Sequence, residues 1–312
     1  MKFGVVLVTY NRLDKLKISL DCYDKQTYLP EYVLVVNNNS TDDTKKYLET
    51  WKKKKTKYDK IVLNLPSNIG GSGGFHEGLK KSLNLPADWI WVADDDAFPK
   101  LDCFEKANEY LSKNKEENIS AICGKVLNRG KIDLTHRRKV KNILCFPLQI
   151  IPGKKNYEKD QFEIHLFSYV GTFISKEKMK KVGITKKDYF IYNDDSEHSY
   201  RLSKVGKIFC IPTIEIIHDG PQVLTKDGVN WKFYYSVRNV LDMVKSNWPR
   251  HYYNTYKLYV RIKYFLIITL LYKNKKAGFK ILKKAIYDAD HGISGLDKVY
   301  KPGWKPEEGA RN

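Results

Sequence analysis

Short apolar runs alternate with segments of helical periodicity in the N-terminal third of the chain. The run FGVVLVTY begins at Phe3 and is rich in β-branched residues, which favours a strand. In the segment that follows, Leu13, Leu16 and Leu20 recur at the spacing of a helix with one buried face. The predicted strands are FGVVLVTY, EYVLVVNN, KIVLNL and DWIWVA. Strands that alternate with helices predict a parallel sheet with helices on both faces.

The pattern becomes more mixed after residue 120. The runs AICGKVL, FSYVGTFIS and KIFCIPTIEIIHDG favour strands, and residues 197–205 favour a helix. From Asn230 onward the pattern is helical and rich in aromatic residues. We therefore predict an α/β domain of residues 1–220 and a basic, aromatic-rich helical C-terminal module of residues 221–312.

Composition indicates a globular, strongly basic protein. The chain has 312 residues, 42% of them hydrophobic, and a formal net charge of +20, which predicts an acidic partner. The five scattered cysteines form no CxxC pair, so we expect reduced, mostly buried thiols and a cytoplasmic location. No signal peptide precedes the first strand, and the longest apolar run, residues 264–272, is too short to cross a bilayer.

Three consecutive carboxylates, Asp94, Asp95 and Asp96, follow the apolar strand DWIWVA directly. A helix N-cap and turn would need one acidic residue or two, whereas three at the end of a buried strand repel one another. A divalent cation would offset this repulsion. Oxygen ligands of this kind suit Mg²⁺ or Mn²⁺, which complete their coordination with substrate phosphates.

Loops at the same predicted edge fit a nucleotide diphosphate. Residues 9–12 end the first strand, and residues 37–40 end the second and offer amide groups. NIGGSGGF is predicted to be a glycine loop before the helix HEGLKKSLNL, and its backbone could approach a ligand closely. It matches neither a P-loop nor a Rossmann fingerprint. Ligands of such sheets bind outside the carboxyl ends of the strands, where these loops gather.

A second acidic cluster occurs in YNDDSEHSYRL, which contains Asp194, Asp195 and Glu197. These acids could simply favour the N-terminus of a helix. IIHDG follows and places His218 at the end of a predicted strand, where it could serve as a further ligand beside a carboxylate metal site.

These segments resemble the family 2 glycosyltransferases with a GT-A fold. VLVTYNR, VVNNNSTDDT, NIGGSGGF, VADDDAFP, YNDDSEHSYRL and IIHDG occur in the family's order over residues 1–220. The glycine-doubled segment and YYSVRN, residues 234–239, are most similar to the galactofuranosyl- and rhamnosyltransferase branch. The resemblance implies a Rossmann-like mixed sheet with helices on both faces, plus the helical C-terminal module.

The resemblance also implies roles for individual residues. Asp96 and His218 would bind the metal, Asp94 would bind the metal or the ribose, and Asp195 would be the general base. Asn37 stands where many relatives carry Asp. The implied donor-binding residues are Thr9, Tyr10, Asn11, Arg12, Asn37, Asn39, Asn68, Gly70, Gly71, Gly74, Asp94 and Asp95. The implied acceptor residues are Asp194, Trp231, Tyr235 and Arg238.

The implied reaction agrees with these residue types. Inverting transfer needs one base to take the proton of the acceptor hydroxyl. It also needs a Lewis acid such as Mn²⁺ or Mg²⁺ to stabilise the leaving diphosphate. The implied activity is metal-dependent transfer of a sugar, with galactofuranose from UDP-galactofuranose expected, in bacterial surface polysaccharide synthesis. Transfer of rhamnose from dTDP-rhamnose is the alternative donor chemistry.

The C-terminal module carries a basic and aromatic stretch. Residues 243–287 contain no Asp or Glu but eleven Lys or Arg residues, interleaved with Trp and Tyr. Nucleic-acid binding, docking on anionic lipid, and a helical bundle with a basic outer face would all produce this pattern. The transferase resemblance favours docking at the inner face of the plasma membrane, with a polyprenyl-diphosphate-linked saccharide as acceptor. A metal-dependent nuclease is the alternative from another class. A homo-oligomer is compatible with the sequence.

Overall fold

The computed structural model describes residues 1–220 and 229–306. The strands are β1 (Phe3–Thr9), β2 (Tyr32–Asn37), β3 (Asp59–Asn64), β4 (Trp89–Asp94), β5 (Ala97–Pro99), β6 (Ile119–Asn128), β7 (Lys131–Ile132), β8 (Arg137–Ile143), β9 (Phe146–Ile150), β10 (Phe162–Ile164), β11 (Leu166–Phe167), β12 (Val170–Ser175) and β13 (Lys207–His218). The helices are α1 (Leu13–Asp24), α2 (Thr44–Lys53), α3 (Gly70–Ser82), α4 (Cys103–Lys113), α5 (Lys176–Val182), α6 (Asp194–Leu202), α7 (Trp231–Asn247), α8 (Arg250–Leu271) and α9 (Lys275–His291).

One large mixed sheet organises most of these strands. Its order is β10-β13-β6-β12-β4-β1-β2-β3, with β5 paired to β13 and β7 to β6. Strands β1 to β4 are parallel, as the alternation of strands and helices predicts, and β12 inserts antiparallel between β4 and β6. A second, three-stranded sheet has the order β11-β8-β9.

Helices cover both faces of the large sheet. Along β1, Val5 and Leu7 belong to one buried cluster, whereas Val6 and Val8 belong to another, as the two-residue period of a strand requires. The first cluster includes side chains of α1, α2 and α4, and the second includes side chains of α3, α5 and α6. The predicted α/β class, with a mixed sheet and helices on both faces, is confirmed.

The chain divides into two compact units. One comprises residues 1–140, 149–186 and 195–221, and the other comprises residues 141–148, 187–194 and 222–312. In the second unit α7, α8 and α9 pack on one another. Its helices begin with side-chain caps, since Asn230 accepts from the Lys232 N–H and Asn274 from the Ala277 N–H. Residues 221–228, where the predicted domain boundary lies, are outside the described residues.

Two further expectations concern the cysteines and the apolar segments. All five cysteines are free, and Cys103, Cys123 and Cys210 are buried. None of the helices in the described parts of the chain combines the length and hydropathy that a bilayer span requires.

Candidate active site

The side chain of Asp95, in the turn that follows β4, forms hydrogen bonds with residues at and after the end of β1. The Thr9 hydroxyl donates to Asp95 Oδ2 over 2.7 Å, and Arg12 Nη1 donates to Asp95 Oδ1 over 3.2 Å. The Asp95 side chain is buried. Burial raises its pKa to about 6, although the charge of Arg12 and the Thr9 hydrogen bond act in the opposite direction. The side chains of Thr9 and Asp95, both expected at the donor, are therefore engaged with each other.

Asp96 lies between a cation and an imidazole. Arg12 Nη1 donates to Asp96 Oδ2 over 2.7 Å, and His218 Nε2 lies 3.6 Å from Asp96 Oδ1. Burial opposes ionisation of Asp96, but hydrogen bonding to His218 and the charge of Arg12 outweigh it, so the pKa of this carboxyl is lowered. Asp94 ends β4 beside Val8 of β1 and is half-buried.

Strand pairing places His218 beside the aspartates. The short strand β5 follows the aspartate turn and pairs antiparallel with the end of β13, so that Ala97 is opposite His218. The Asp219 N–H donates to the Asp96 carbonyl over 3.0 Å and extends this pairing. The structure thus brings together the predicted ligands Asp96 and His218, which lie far apart in the sequence.

Amide side chains join the end of β2 to its neighbours. Asn37 accepts from the Ser40 N–H over 2.9 Å and donates to Asn64 over 2.9 Å. Asn38 accepts from the Ile69 N–H and donates to the Gly70 carbonyl, at 3.1 and 2.9 Å. Asn38 is not among the individually predicted site residues, although it lies in residues 37–40, which the sequence predicts to offer amide groups after β2.

Asn68 and Asn11 stabilise adjacent loops. Asn68 accepts from both the Asn38 amide and the Gly70 N–H. Asn11 has a positive φ of 53° and accepts from the Thr41 N–H over 2.7 Å. Asn39 has a φ of 60° and an exposed side chain, and Tyr10 is also exposed.

A cleft of about 500 Å³ opens beside these loops. Its lining includes Asn11, Arg12, Asp42, Asp96 and Asp219. The acidic lining suits a bound cation, and the guanidinium of Arg12, with 47% of its side chain exposed, can reach an anionic group.

The glycine segment differs from the prediction. Residues 70–82 form α3, so Gly70, Gly71 and Gly74 belong to a helix and the predicted glycine loop is wrong. A Cβ at Gly74 would lie 2.7 Å from Val8 Cγ1, whereas one at Gly71 would meet nothing within 4 Å. Packing of α3 on the sheet therefore accounts for glycine at position 74 without a ligand.

Asp195 lies in the first turn of α6. Its Oδ1 accepts from the Ser196 N–H over 2.6 Å and from the Ser196 hydroxyl over 3.1 Å. Arg138, which is not predicted from the sequence, donates to the same hydroxyl over 2.7 Å. Burial raises the pKa of Asp195, although Arg138 and Ser196 favour the ionised form.

The other acids of this cluster are buried. Asp194 is the first residue of α6 and is buried. Glu197 forms an ion pair with Arg201 at 2.9 Å, and Arg201 also donates to the Ile184 carbonyl. Glu197 therefore serves the packing of α6.

The predicted acceptor residues Trp231, Tyr235 and Arg238 all lie on α7. Arg238 is buried and donates to the carbonyls of Gly295 and Tyr189, at 2.7 and 3.2 Å. Tyr235 is fully buried, and its hydroxyl donates to the Tyr300 carbonyl. Trp231 is half-buried, with its ring edge-on to Tyr235. The burial of Tyr235 and Arg238 favours a structural role over direct contact with an acceptor.

A family model and the similar known sequences agree with one another, since all of them are glycosyltransferases. The sequence model of Glycosyl transferase family 2 matches residues 4–183. Galactofuranosyltransferase GlfT1 of Mycobacterium tuberculosis (strain ATCC 25618 / H37Rv) is 40% identical over 92 residues, which cover 29% of this chain and 29% of the relative. O-antigen chain rhamnosyltransferase WbaN of Salmonella anatum is 26% identical over 129 residues, which cover 40% of this chain and 37% of the relative. These matches span well under half of the relatives' length.

Solved structures share the fold. S. aureus TarS 1-349 matches with a TM-score of 0.60 and 15% identity, over 93% of this chain and 81% of that chain. GalNAc-T7, crystallised with UDP, GalNAc and Mn²⁺, matches with a TM-score of 0.58 and 13% identity, over 78% of this chain and 48% of that chain. At these identities the likeness concerns the fold alone.

Proposed function

The chain belongs to glycosyl transferase family 2 and is a glycosyltransferase with the GT-A fold, and we propose that it transfers galactofuranose from UDP-galactofuranose with inversion. The acceptor in this proposal is a lipid-linked saccharide of bacterial surface polysaccharide synthesis. The donor sugar is supported by the 40% identity to a galactofuranosyltransferase over 92 residues. The family match argues against the nuclease alternative, and a homo-oligomer stays a prediction.

The geometry that carries the proposal is the pairing of β5 with β13, which places His218 beside Asp96. One carboxylate and one imidazole at the carboxyl end of the sheet can hold a divalent cation next to the cleft. In this proposal Asp96 and His218 bind the cation and Asp94 assists. When bound, the cation stabilises negative charge on the leaving diphosphate.

A separate carboxylate is available as base. Asp195 belongs to α6 rather than to the aspartate turn, and burial raises its pKa. A raised pKa brings a carboxylate closer to that of a useful general base. Asp195 would take the proton of the acceptor hydroxyl, and Ser196 and Arg138 would hold its carboxylate in position.

The donor contacts are proposed for the loops around the cleft. Arg12 would contact the diphosphate, and Asn37 would contact the base, helped by the exposed side chains of Tyr10 and Asn39. Asn11, Asn68 and the start of α3 would fix the shapes of these loops. Thr9 and Asp95 would contribute by holding Arg12 at the cleft.

We expect UDP with Mn²⁺ to stabilise the chain against thermal unfolding and dTDP to have little effect. A concentration of UDP 100 times its dissociation constant would add about 2.7 kcal/mol to the free energy of unfolding. The measurement is a thermal-shift series with UDP and dTDP, each with Mn²⁺, with Mg²⁺ and with EDTA. Stabilisation by dTDP alone would instead favour rhamnosyl transfer, which the 26% identity to a rhamnosyltransferase supports.

Transfer from UDP-galactofuranose to a lipid-linked acceptor then tests the reaction, and activity that is unaffected by EDTA would contradict the metal role.

We also propose that α8 docks on the anionic cytoplasmic surface of the plasma membrane. Its buried face is formed by Tyr253, Tyr256, Val260 and Ile268. Large apolar side chains on the other side are more than half exposed, namely Leu258, Ile262, Phe265 and Leu266. Their spacing of three and four residues places them on one face, and Arg261 and Lys263 flank it. An exposed apolar face with basic neighbours suits an interface with anionic lipid.

We expect the double variant Ile262→Asp, Phe265→Asp to bind vesicles of anionic lipid at least tenfold more weakly than the unaltered chain. Burying side chains of this size contributes about 1.5–3 kcal/mol each, and tenfold corresponds to about 1.4 kcal/mol. The measurement is co-sedimentation with vesicles of phosphatidylcholine and phosphatidylglycerol. Ile18→Asp, at an exposed position of α1, is the matched control. Binding that is equal for pure phosphatidylcholine, or unchanged in the double variant, would contradict the docking proposal.

A further inference from the structure

Asp133, His136 and His218 form a cluster next to the aspartate turn. One ligand atom from each lies within 4.8 Å of the others. The imidazoles of His136 and His218 meet edge to face, with 5.0 Å between ring centroids. Asp133 caps a single helical turn between β7 and β8, His136 is the last residue of that turn, and neither is predicted from the sequence.

Local hydrogen bonds orient the side chains of Asp133 and His136. Asp133 Oδ1 accepts from the Thr135 N–H over 3.0 Å, which closes the turn and leaves Oδ2 directed at His136, 3.3 Å from its Nε2. His136 Nδ1 forms a hydrogen bond of 2.7 Å with the Ser168 hydroxyl. The hydrogen bond of Nδ1 therefore fixes the orientation of the His136 ring, and Nε2 on its other side faces Asp133.

Two buried ring nitrogens in this cluster form no hydrogen bond of acceptable geometry with a described residue, and for His136 Nε2 the nearby Asp133 Oδ2, at 3.3 Å, does not provide one. Among the described residues, His136 Nε2 and His218 Nδ1 have no partner of acceptable geometry. Leaving a buried polar atom unsatisfied costs about 1–3 kcal/mol, so a water molecule or an ion is expected at such atoms. Two of them, on rings in contact and next to a carboxylate, indicate a partner that accepts electron pairs from both.

The position of His218 is also constrained by the backbone. A Cβ at Gly220 would lie 2.6 Å from His218 Nε2 and 2.5 Å from Cε1, so the Gly220 backbone packs against the imidazole. With β5 pairing before it and Gly220 after it, His218 is fixed between Asp96 and His136. Fixed ligands of this kind are typical of metal sites, where the surrounding contacts orient each imidazole.

We propose that Asp133, His136 and His218 bind a divalent cation of the Mn²⁺, Co²⁺ or Zn²⁺ type, with His218 donating through Nδ1. Because Nε2 of the same ring faces Asp96 and a neutral imidazole binds one ion, Asp133 and His136 would take the place of Asp96 as ligands in the proposed metal centre. Two imidazoles and one carboxylate form a ligand set that suits these ions, whereas Mg²⁺ prefers oxygen ligands alone. The inference deepens the metal role in the proposed function and narrows the choice of ion. It concerns binding of the cation itself and does not require transfer of a sugar.

The first test measures metal binding by the full chain without nucleotide. Calorimetric titrations with Co²⁺, Mn²⁺ and Mg²⁺, each alone, should give tighter binding of Co²⁺ and Mn²⁺ than of Mg²⁺. His136→Gln and Asp133→Asn should each weaken Co²⁺ binding at least tenfold. The matched controls His251→Gln and Asp160→Asn, both at exposed positions and not members of the cluster, should bind as the unaltered chain does. Unchanged Co²⁺ binding in both cluster variants would overturn the proposal.

The second test needs no variant and so does not depend on folding of an altered chain. Electron spin echo spectroscopy of the bound Mn²⁺ counts the coordinated imidazole nitrogens, and we expect two. A count of one would restrict the centre to His218 and overturn the role of His136. If His136→Gln bound Co²⁺ normally but no longer bound UDP, His136 would contact the diphosphate. That result would also overturn its role as a metal ligand. Metal binding without transfer would contradict the proposed function alone, and transfer without metal binding would contradict this site alone.

Discussion

Asp195→Asn should lower kcat for sugar transfer by about 10²–10⁴-fold, because this is the usual contribution of a positioned general base. The amide has the shape of the carboxylate and keeps an oxygen that can accept from the Ser196 N–H, so we expect the variant to fold. It cannot take a proton from the acceptor. The measurement is steady-state transfer with saturating donor and Mn²⁺.

The pH profile gives a second signature of the same role. The base works in its ionised form, and burial raises the pKa of Asp195 above the ordinary value for aspartate of about 3.9. The rate of the unaltered enzyme should therefore fall as the pH drops through this raised pKa, and this limb should be absent from Asp195→Asn. Asp160→Asn, at an exposed position, is the matched control and should keep both the rate and the limb. Turnover of Asp195→Asn within threefold of the control would contradict the assignment.

The alternation of strands and helices could be predicted because each element carries its own signal. Strands β1 to β4 are apolar runs that end at polar turns, and the period of α1 is visible in three leucines. The strand β8, RRKVKNI, shows no alternation of apolar and polar residues, so the hairpin β8–β9 could not be predicted. Strand β5 has three residues and is too short for a pattern, yet its pairing positions His218.

The glycine segment shows where propensity was misleading. Glycine disfavours helices, so NIGGSGGF predicted a loop. In the structure a Cβ at Gly74 or Gly78 would approach Val8 or Val6 to within 2.7 and 2.5 Å, so glycine permits close packing of α3 on the sheet. A tertiary contact thus outweighs the local preference, and that contact cannot be derived from the spacing of glycines alone.

In the aspartate turn, the predicted charge repulsion is compensated by groups other than the predicted cation alone. The mutual repulsion of three adjacent carboxylates needs compensation, and the sequence predicts a cation for it. In the structure Arg12 donates to Asp95 and Asp96, and Thr9 donates to Asp95, so the protein supplies much of the compensation itself. Support for a cation comes instead from His218, whose Nδ1 forms no hydrogen bond of acceptable geometry within the described parts of the chain, and from His136 and Asp133 beside it. His218 could be proposed as a ligand from its place at the end of a strand, but the pairing of β5 with β13 that brings it to Asp96 has no signal in the sequence pattern.

Arg238→Met should lower the free energy of unfolding of the helical unit by about 2–4 kcal/mol, since the Gly295 carbonyl and the Asn239 amide oxygen would lose their buried donor. Nη1 and Nη2 of Arg238 donate to the carbonyls of Gly295, Asp188 and Tyr189, and Nε donates to Asn239. Methionine fills a similar volume but donates no hydrogen bond. The measurement is urea unfolding followed by tryptophan fluorescence, because Trp231, Trp248 and Trp304 all belong to this unit.

The same variant separates the two roles considered for this arginine. If Arg238 is structural, the loss of stability should appear with little change in KM for the acceptor under conditions where the variant is folded. Arg250→Met, at an exposed position of α8, is the matched control for removal of one positive charge and should leave stability within about 0.5 kcal/mol. A variant that unfolds like the control but shows a large rise in acceptor KM would restore Arg238 as an acceptor contact. Burial and the carbonyl partners of its guanidinium lead us to expect the first result, because a group already satisfied inside its own unit has no donor left for a substrate.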